Sequence, residues 1–255
     1  MKILAVIPAR YASTRFSGKP LALLEGKPII EWVWQCVAQM PALTEAVVAT
    51  DDERILDTVR QFGGRAIMTS TQHRSGTDRC GEVLTNLEGQ GQQFDVVINL
   101  QGDEPFTQQS QLENLIDCFA HADTQIATLK TPIVSTEELL SANNVKVVCG
   151  KDGRALYFSR QPIPYLRGAE SGEWLKRQPY YKHVGIYAFR AETLKEVVKL
   201  EPSALEVSES LEQLRWLENG YNIQVRTTEQ ANIGIDTPED MEAAERYLND
   251  IQNEK

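Results

Sequence analysis

The chain has 255 residues, a formal net charge of −10, 42% hydrophobic residues and 24% charged residues. These are ordinary values for a globular protein, and the acidic balance argues against a nucleic-acid binder, which would carry a basic face. No stretch approaches the ~20 apolar residues of a membrane span, and the apolar run at 3–7 is too short for a signal peptide. We therefore expect a cytoplasmic protein with no nucleic-acid or membrane partner.

Strand and helix patterns alternate through the first half of the chain. Strands are predicted at 3–7, 45–52, 65–70 and 95–105, and helices at 29–40, 53–62 and 77–87. Continuous apolar runs such as ILAVI (3–7) are typical of strands that are covered on both faces. The regular alternation predicts βαβ units and a mostly parallel sheet.

The pattern changes after about residue 124. Further strands are predicted at 125–133, 183–190 and 221–228, a hairpin at 145–160, and helices at 208–220 and 237–252. The last helix should begin with Thr237 as its N-cap. The stretch 161–181 shows no periodicity, and we interpret it as a long excursion that is either a lid or a dimer contact.

These elements predict an α/β fold class. We expect a mixed, mostly parallel central sheet flanked by helices, with a smaller sheet or hairpin excursion in the second half. No linker separates two independent domains, so residues 1–255 should form one domain. The four cysteines form no C-x-x-C pair and match no zinc spacing, which favours reduced core thiols.

Three cations follow the first predicted strand in an otherwise acidic chain. The loop ARYASTRFSGKP (9–20) contains Arg10, Arg15 and Lys19. Guanidinium groups match phosphate oxygens bidentately and lysine supplies a point charge, and the carboxyl ends of strands are where open α/β sheets bind ligands. The loop lacks both the G-x-G-x-x-G and the Walker patterns. We favour a phosphate-binding loop; the alternative is a solvated basic loop.

Two carboxylates each follow a short apolar strand that the sequence predicts. Asp103 lies in LQGDEP (100–105) and Asp236 in IGIDTPED (233–240). Two such carboxylates are the minimum that a protein contributes to Mg²⁺ held mainly by substrate phosphates. The alternative is that Asp103 forms a turn and Asp236 caps a helix beside Thr237.

A third polar segment, HRSGTDR (73–79), opens a predicted helix. Its exposed backbone groups at Ser75, Gly76 and Thr77 are able to read the edge of a base, since glycine lets a flat ring approach. Taken alone, a plain helix cap at Ser75 or Thr77 is the favoured interpretation.

Polar candidates in the second half have simpler alternatives. Arg160 follows a strand and is placed to clamp a carboxylate, while His183 is more often structural than catalytic. Glu212 and Gln213 lie on a helix with an apolar stripe, where an exposed pair is usually a solvated face.

Together these motifs resemble the 3-deoxy-manno-octulosonate cytidylyltransferase (CMP-Kdo synthetase) family from end to end. The first motif is shared by many nucleotidyltransferases, whereas the segments of the second half are more specific. The segments that carry the resemblance are IPARYASTRFSGKPL (7–21), ATDDERI (49–55), HRSGTDR (73–79), NLQGDEP (99–105), ALYFSR (155–160), KHVGIYAFR (182–190), LEQLRWLENG (211–220) and GIDTPED (234–240).

The resemblance implies a Rossmann-like nucleotidyltransferase fold, a homodimer, and transfer of CMP from CTP to the acid sugar Kdo with Mg²⁺, for lipopolysaccharide synthesis. It implies that Arg10, Arg15 and Lys19 hold the CTP phosphates, with Arg10 and Lys19 also catalytic. It implies that Ser75, Gly76 and Thr77 read cytosine, and that Asp103 and Asp236 are the catalytic magnesium carboxylates, Asp103 also contacting the nucleotide. The implied sugar-binding residues are Gln101, Arg160, His183, Tyr187, Glu212 and Gln213.

The same resemblance assigns roles along the chain: CTP binding mainly to 1–124, sugar binding and dimerisation to 125–232, and the second metal aspartate and last helix to 233–255. The chain departs from the family at FSGKP, where a proline commonly precedes Gly18, and at Ile235, where valine is common. Two other functions stay open: a cytidylyltransferase for 8-amino-Kdo or a sialic acid, and a nucleotide-sugar sensor without turnover.

Overall fold

The computed structural model describes residues 1–12, 16–230 and 234–253. The strands are β1 (Ile3–Ala9), β2 (Leu23–Leu24), β3 (Lys27–Pro28), β4 (Glu45–Thr50), β5 (Ala66–Met68), β6 (Val96–Asn99), β7 (Ile126–Pro132), β8 (Lys146–Cys149), β9 (Ala155–Ser159), β10 (Tyr181–Arg190) and β11 (Ile223–Thr227). The α-helices are α1 (Ile29–Ala38), α2 (Glu53–Gln61), α3 (Gly76–Gly89), α4 (Gln109–Cys118), α5 (Thr136–Leu140), α6 (Trp174–Arg177), α7 (Ala191–Val197), α8 (Ala204–Glu209), α9 (Glu212–Glu218) and α10 (Pro238–Asn253).

The chain folds into two compact units. Unit 1 contains Met1–Ser110 and Asn232–Lys255, and unit 2 contains Gln111–Ala231. Unit 1 therefore takes up both ends of the chain. The division of roles expected from the sequence stays a prediction.

Unit 1 contains four parallel strands in the order β6-β1-β4-β5. Ile3 to Ile7 of β1 are at most 2% exposed, as expected for a parallel strand covered by helices on both faces. The predicted parallel βαβ arrangement is confirmed here.

The helices of unit 1 begin at the caps that their sequences indicate. The Asp52 side chain accepts from the backbone N–H of Arg54 at the start of α2, and Ser75 and Asp78 form a reciprocal capping box at α3. At α10, the Thr237 hydroxyl accepts from the Asp240 N–H at 3.3 Å. The predicted N-cap at Thr237 is confirmed.

Unit 2 contains the mixed part of the fold. β7 pairs parallel with β11 and antiparallel with β10, and β8 pairs antiparallel with β9 and with β10. The predicted hairpin turns at Gly153, which has a φ of +79°. The expected α/β class with parallel and antiparallel pairings and a hairpin excursion is confirmed.

The single helix predicted over 208–220 is wrong. Two helices, α8 and α9, meet at Ser210, whose left-handed φ of 51° breaks the helical path. Helix α8 starts earlier than expected because Ser203 and Glu206 form a capping box. Helices α4, α5 and α7 were not predicted from the sequence.

The excursion at 161–181 contains only a 3-10 turn and the short helix α6, but it has its own apolar core. Trp174 and Tyr180 are buried with Ile133 and Leu139. The Trp174 indole N–H donates to the Ala169 carbonyl at 2.9 Å. Its predicted use as a lid or a dimer contact stays a prediction.

Among the residues described, no helix is both long enough and apolar enough to cross a membrane. All four cysteines are free, and Cys80 and Cys118 are buried. Cys36 and Cys149 are only partly buried, so the expected core position holds for two of the four.

Candidate active site

The carboxyl ends of β1 and β6 bring the first two motifs together. The strands pair in parallel with Val6 opposite Asn99, and the Leu100 N–H donates to the Val6 carbonyl at 3.0 Å. A Cβ on Gly102 would stand 2.6 Å from the Pro8 carbonyl oxygen. Only glycine permits this approach, which packs the turn carrying Asp103 directly against the end of β1.

The third motif joins this edge through its backbone. The strand predicted before Asp236 is wrong for the described residues, since 234–236 form no strand. The Ile235 N–H donates to the Asp103 carbonyl at 2.9 Å, and Ile235 is fully buried. The Asp240 carboxylate accepts from the N–H groups of Asp236 and Thr237 at 2.9 and 2.8 Å. Capping of α10 therefore falls to Thr237 and Asp240, and the Asp236 carboxylate is directed elsewhere.

Lys19 links the two aspartates. Its Nζ lies 2.6 Å from Asp103 Oδ2 and 3.1 Å from Asp236 Oδ1, and only 12% of its side chain is exposed. Two carboxylates that are distant in sequence thus converge on one cation. The preceding Gly18 has a φ of +72°, the left-handed conformation that favours glycine.

The donor set at this point suits a hard divalent cation. The ammonium of Lys19 already holds a positive charge between Asp103 and Asp236, and carboxylate oxygens are the ligands that Mg²⁺ prefers. Over residues 1–12, 16–230 and 234–253, no three His, Cys, Asp or Glu side chains converge as a full ligand set. Two carboxylates therefore fit Mg²⁺ only if phosphate oxygens and water complete the coordination.

An open cavity of about 360 Å³ surrounds this cluster within unit 1. It brings together six residues that were predicted from the sequence, namely Arg10, Lys19, Gly76, Gln101, Asp103 and Asp236. Arg15, the third predicted cation, lies outside the described residues. Three cations line the cavity, namely Arg10, Lys19 and Arg79, as expected for a polyanionic ligand.

The turn at the start of α3 serves as a cap and as a wall of the cavity. The Ser75 hydroxyl accepts from the Asp78 N–H at 3.1 Å, and Thr77 is 2% exposed. A Cβ on Gly76 would lie 3.3 Å from the Pro8 side chain. The cap expected at Ser75 is therefore present, and Gly76 is at the same time part of the cavity.

Arg79 was missed in the sequence analysis. It lines the cavity although it is 1% exposed. Its guanidinium donates to the Thr69 hydroxyl at 2.7 Å and to the Asp51 carboxylate. Its Nε has no hydrogen-bond partner within the part of the chain that the structure describes. The sequence did contain a signal for this residue: it is a cation among the apolar positions of α3, and the paired Asp51-Asp52 lies upstream.

Arg160, at the end of β9 in unit 2, is held by the backbone. Its guanidinium donates to the carbonyls of Glu209, Ala142 and Ser210 at 2.6, 3.0 and 3.3 Å. The Glu209 carboxylate also accepts from the backbone N–H of Arg160 at 2.9 Å. These bonds hold the Arg160 side chain in one orientation. They use three of the five guanidinium N–H groups and leave two.

Lys146 adds a second buried cation to the same region. It is fully buried, and its Nζ donates to the carbonyls of Ser141, Asn144 and Arg160. Burial lowers the pKa of Lys146. No sequence pattern indicates the position of this lysine, because its partners are backbone carbonyls from the loop just before it and from Arg160.

His183 lies beside Tyr187 at an irregular point of β10. The β7 pairing shifts register between Val184 and Tyr187, and the His183 and Tyr187 rings are 5.2 Å apart. The Thr128 hydroxyl lies 2.9 Å from His183 Nε2 and 2.8 Å from the Ile186 carbonyl. The same hydroxyl lies 3.1 Å from the Val184 carbonyl, so two backbone carbonyls and His183 Nε2 surround its single proton.

Burial lowers the pKa of His183 to about 3. We expect a neutral ring from pH 8 to pH 5, measurable as imidazole ¹⁵N shifts that do not titrate. The folded-state pKa is lower than the ~6.5 of an unfolded histidine, so this group's contribution to stability is complete above pH 6.5 and declines as the pH falls toward 3. A His183 resonance titrating near pH 6.5 in the folded protein would contradict this.

Tyr187 presents a buried hydroxyl. The residue is 7% exposed, and its hydroxyl has no hydrogen-bond partner among the residues described. Burial and the nearby Glu212 carboxylate raise the pKa of Tyr187. Its ring meets Trp216 edge-on at 5.0 Å.

Glu212 and Gln213 do not form a solvated pair. Gln213 is 5% exposed, and Glu212 Oε1 accepts from Arg215 Nη2 at 3.2 Å. The solvated-face alternative is wrong for Gln213, because the break at Ser210 reorients α9 relative to a continuous helix. Five of the predicted sugar-binding residues thus belong to unit 2, and Gln101 belongs to unit 1.

Comparisons with known proteins agree on one family. A family profile described as "Cytidylyltransferase" matches residues 4–228. A 3-deoxy-manno-octulosonate cytidylyltransferase of Parabacteroides distasonis is 54% identical over 252 residues, covering 97% of this chain and 98% of that protein. One of Thermodesulfovibrio yellowstonii is 50% identical, covering 98% and 99%.

Two solved structures are similar to this chain over nearly its whole length. CMP:2-keto-3-deoxy-manno-octonic acid synthetase complexed with CTP is similar with a TM-score of 0.89 and 41% identity, covering 98% of this chain and 99% of that one. A cytidylyltransferase from Leptospira borgpetersenii, at 15% identity and a TM-score of 0.63, shares the fold.

Proposed function

The chain belongs to the cytidylyltransferase family, and on this premise we propose that it transfers CMP from CTP to 3-deoxy-manno-octulosonate, giving CMP-Kdo and pyrophosphate. The observation that carries the proposal is the convergence of Lys19, Asp103 and Asp236 on one edge of the cavity. The similarity to relatives named for this reaction, over nearly their whole length, supports the acid sugar as the acceptor.

The phosphate-binding role falls to Arg10 and Lys19, with Arg15 as the third cation predicted from the sequence. Arg10 and Lys19 line the cavity, where they would neutralise the charge on the triphosphate. Preorganised cations of this kind stabilise charge that develops in the transition state. Ser75, Gly76 and Thr77 would contact the cytosine, supported by the position of Gly76 in the cavity wall.

Asp103 and Asp236 would hold Mg²⁺ together with the phosphates. Bound there, Mg²⁺ would screen the phosphate oxygens and lower the pKa of the attacking hydroxyl. Lys19 contacts both carboxylates, so it would compete with a metal for their oxygens. Its flexible side chain suits this exchange, since lysine is a movable point charge.

For the sugar we propose Gln101, Arg160, His183, Tyr187, Glu212 and Gln213. Leaving a buried polar group without a partner is costly, so a sugar oxygen would satisfy the Tyr187 hydroxyl. Neutral His183 would offer a ring nitrogen to a sugar hydroxyl, since a neutral imidazole has one donor and one acceptor nitrogen. The two guanidinium N–H groups of Arg160 outside its backbone bonds are available to a carboxylate.

The reaction is a direct displacement at phosphorus. The anomeric oxygen of the sugar forms a bond to the α-phosphorus of CTP, and the bond from that phosphorus to the bridging oxygen of pyrophosphate breaks. The hydroxyl proton is released and the electron pair leaves with pyrophosphate. The protein's work is to position the reactants and to neutralise charge.

Product analysis tests the proposal. We expect mass spectrometry of a mixture of CTP, Mg²⁺, Kdo, 8-amino-Kdo and a sialic acid to show CMP-Kdo and pyrophosphate as the main products. A CMP conjugate of another acid sugar would reassign the acceptor. Binding of CTP with no conjugate of any sugar would favour a sensor and contradict the proposal.

A homodimer and a cytoplasmic location belong to the same proposal. Val134 and Tyr165 are large apolar side chains of unit 2 that are 85% and 74% exposed, which supports an interface on that unit. Four free cysteines suit a reducing compartment.

A further inference from the structure

None of the roles proposed for the reaction uses the motif ATDDERI (49–55). Asp51 contacts Arg79, a residue of the cavity wall. Asp52 instead binds Arg54: its Oδ1 accepts from Arg54 Nε at 2.9 Å and its Oδ2 from Nη2 at 2.6 Å. This bidentate contact fixes the plane of the guanidinium.

Arg54 in turn lies on an aromatic ring of the phosphate-binding loop. Its guanidinium carbon is 3.3 Å from the centroid of the Tyr11 ring, a close cation–π contact. The hydrogen bonds from Arg54 lower the pKa of Asp52. Asp52, Arg54 and Tyr11 therefore form a continuous chain of contacts, which we call the α2 brace.

Tyr11 closes the phosphate-binding loop. Its carbonyl accepts from the Gly18 N–H at 2.9 Å, and a Cβ on Gly18 would lie 3.1 Å from its ring. Tyr11 directly follows Arg10, and Gly18 directly precedes Lys19. One contact between Tyr11 and Gly18 thus joins the two points from which the phosphate-binding cations extend.

We propose that Arg54, oriented by Asp52, is a positioning residue that holds Tyr11 against Gly18 and thereby sets Arg10 and Lys19 for the triphosphate. The inference rests on the proposed function, because it deepens the nucleotide half of the same site. Arg54 contributes little to fold stability, because 59% of its side chain is exposed and exposed ion pairs contribute little. Its ring contact instead restrains one specific loop.

The test compares Arg54→Met with Arg60→Met. Arg60 is on the same helix and 62% of its side chain is exposed, but it does not contact Tyr11. For Arg54→Met we expect the KM for CTP to rise about tenfold, with the KM for Kdo and the melting temperature unchanged. Arg60→Met should match the wild type in all three quantities.

Variants of Tyr11 provide a second test of the brace. Tyr11→Leu should raise the KM for CTP as Arg54→Met does, and the double variant should add little, because both changes break one contact. Tyr11→Phe keeps the ring face and should recover most of the lost affinity. Independent, additive effects of the two single variants would overturn the brace.

A readout without turnover separates this inference from the proposed function. In the nucleotide-free protein, trypsin should cleave between residues 10 and 19 about tenfold faster in Arg54→Met than in Arg60→Met, since a less restrained loop opens more often. Equal cleavage rates, or a KM for CTP equal to that of the wild type, would overturn the inference. If the wild type makes no CMP conjugate, the proposed function fails, and the cleavage comparison still decides the brace.

Discussion

Replacing Asp103 with asparagine is expected to lower the turnover number by about a thousandfold, which is ~4 kcal/mol of transition-state stabilisation. Asparagine keeps the shape of the side chain but removes the charge that faces Lys19 Nζ at 2.6 Å. A metal held by the substrate phosphates would lose one of its two protein carboxylates. The measurement is single-turnover release of pyrophosphate at saturating CTP and Kdo.

Asp236→Asn should give a loss of similar size. The matched control is Asp57→Asn on α2, where 67% of the aspartate side chain is exposed, and there we expect unchanged turnover. Circular dichroism should show that Asp103→Asn and Asp236→Asn are folded, because the backbone bond from Ile235 to Asp103 does not involve either carboxylate. Full Mg²⁺-dependent turnover in either variant would remove that residue from the metal site.

Replacing Lys19 with methionine is expected to have two opposite effects. The value of kcat/KM for CTP should fall by about 10²- to 10³-fold, because a cation that faces the triphosphate is lost. Binding of Mg²⁺ to the nucleotide-free protein should become tighter, because Lys19 no longer neutralises the two carboxylates. Kinetics measure the first effect, and isothermal titration with Mg²⁺ alone measures the second.

The opposite signs make this variant informative. A variant that merely unfolded locally would weaken both CTP turnover and Mg²⁺ binding. Lys2→Met, at an exposed lysine of the same unit, should change neither quantity. Weaker Mg²⁺ binding in Lys19→Met would show that the lysine does not compete with a metal for Asp103 and Asp236.

The nucleotide side of the site was largely readable from the sequence. Arg10, Asp103 and Asp236 stand out because each follows an apolar segment, and Lys19 because it is a cation of the same loop as Arg10. The parallel strands β1 and β6 bring this loop and the turn of Asp103 to one edge, and the Ile235 N–H joins the Asp236 motif to Asp103. What the sequence left open was whether Asp236 caps a helix. The structure shows the cap bonds between Thr237 and Asp240 and places Asp236 on Lys19.

Less of unit 2 could be predicted from the sequence. The apolar stripe of 208–220 predicted one helix, but the left-handed Ser210 divides it and Gln213 is buried. The role of Glu209 was equally hidden: its carboxylate accepts from the Ser159 hydroxyl at 2.7 Å and from the Arg160 N–H at 2.9 Å. Such contacts join residues about fifty positions apart and leave no periodic signal.

The sequence alone determined the α/β class, the parallel first half and the residue types of a nucleotide site, because hydrophobic periodicity and strand-end chemistry are local properties. Only the tertiary structure decided which of these side chains meet. It placed one lysine between two aspartates, oriented Arg54 onto Tyr11 and enclosed His183 so that burial lowers its pKa. Each of these depends on distances between segments far apart in the chain, which local patterns do not encode.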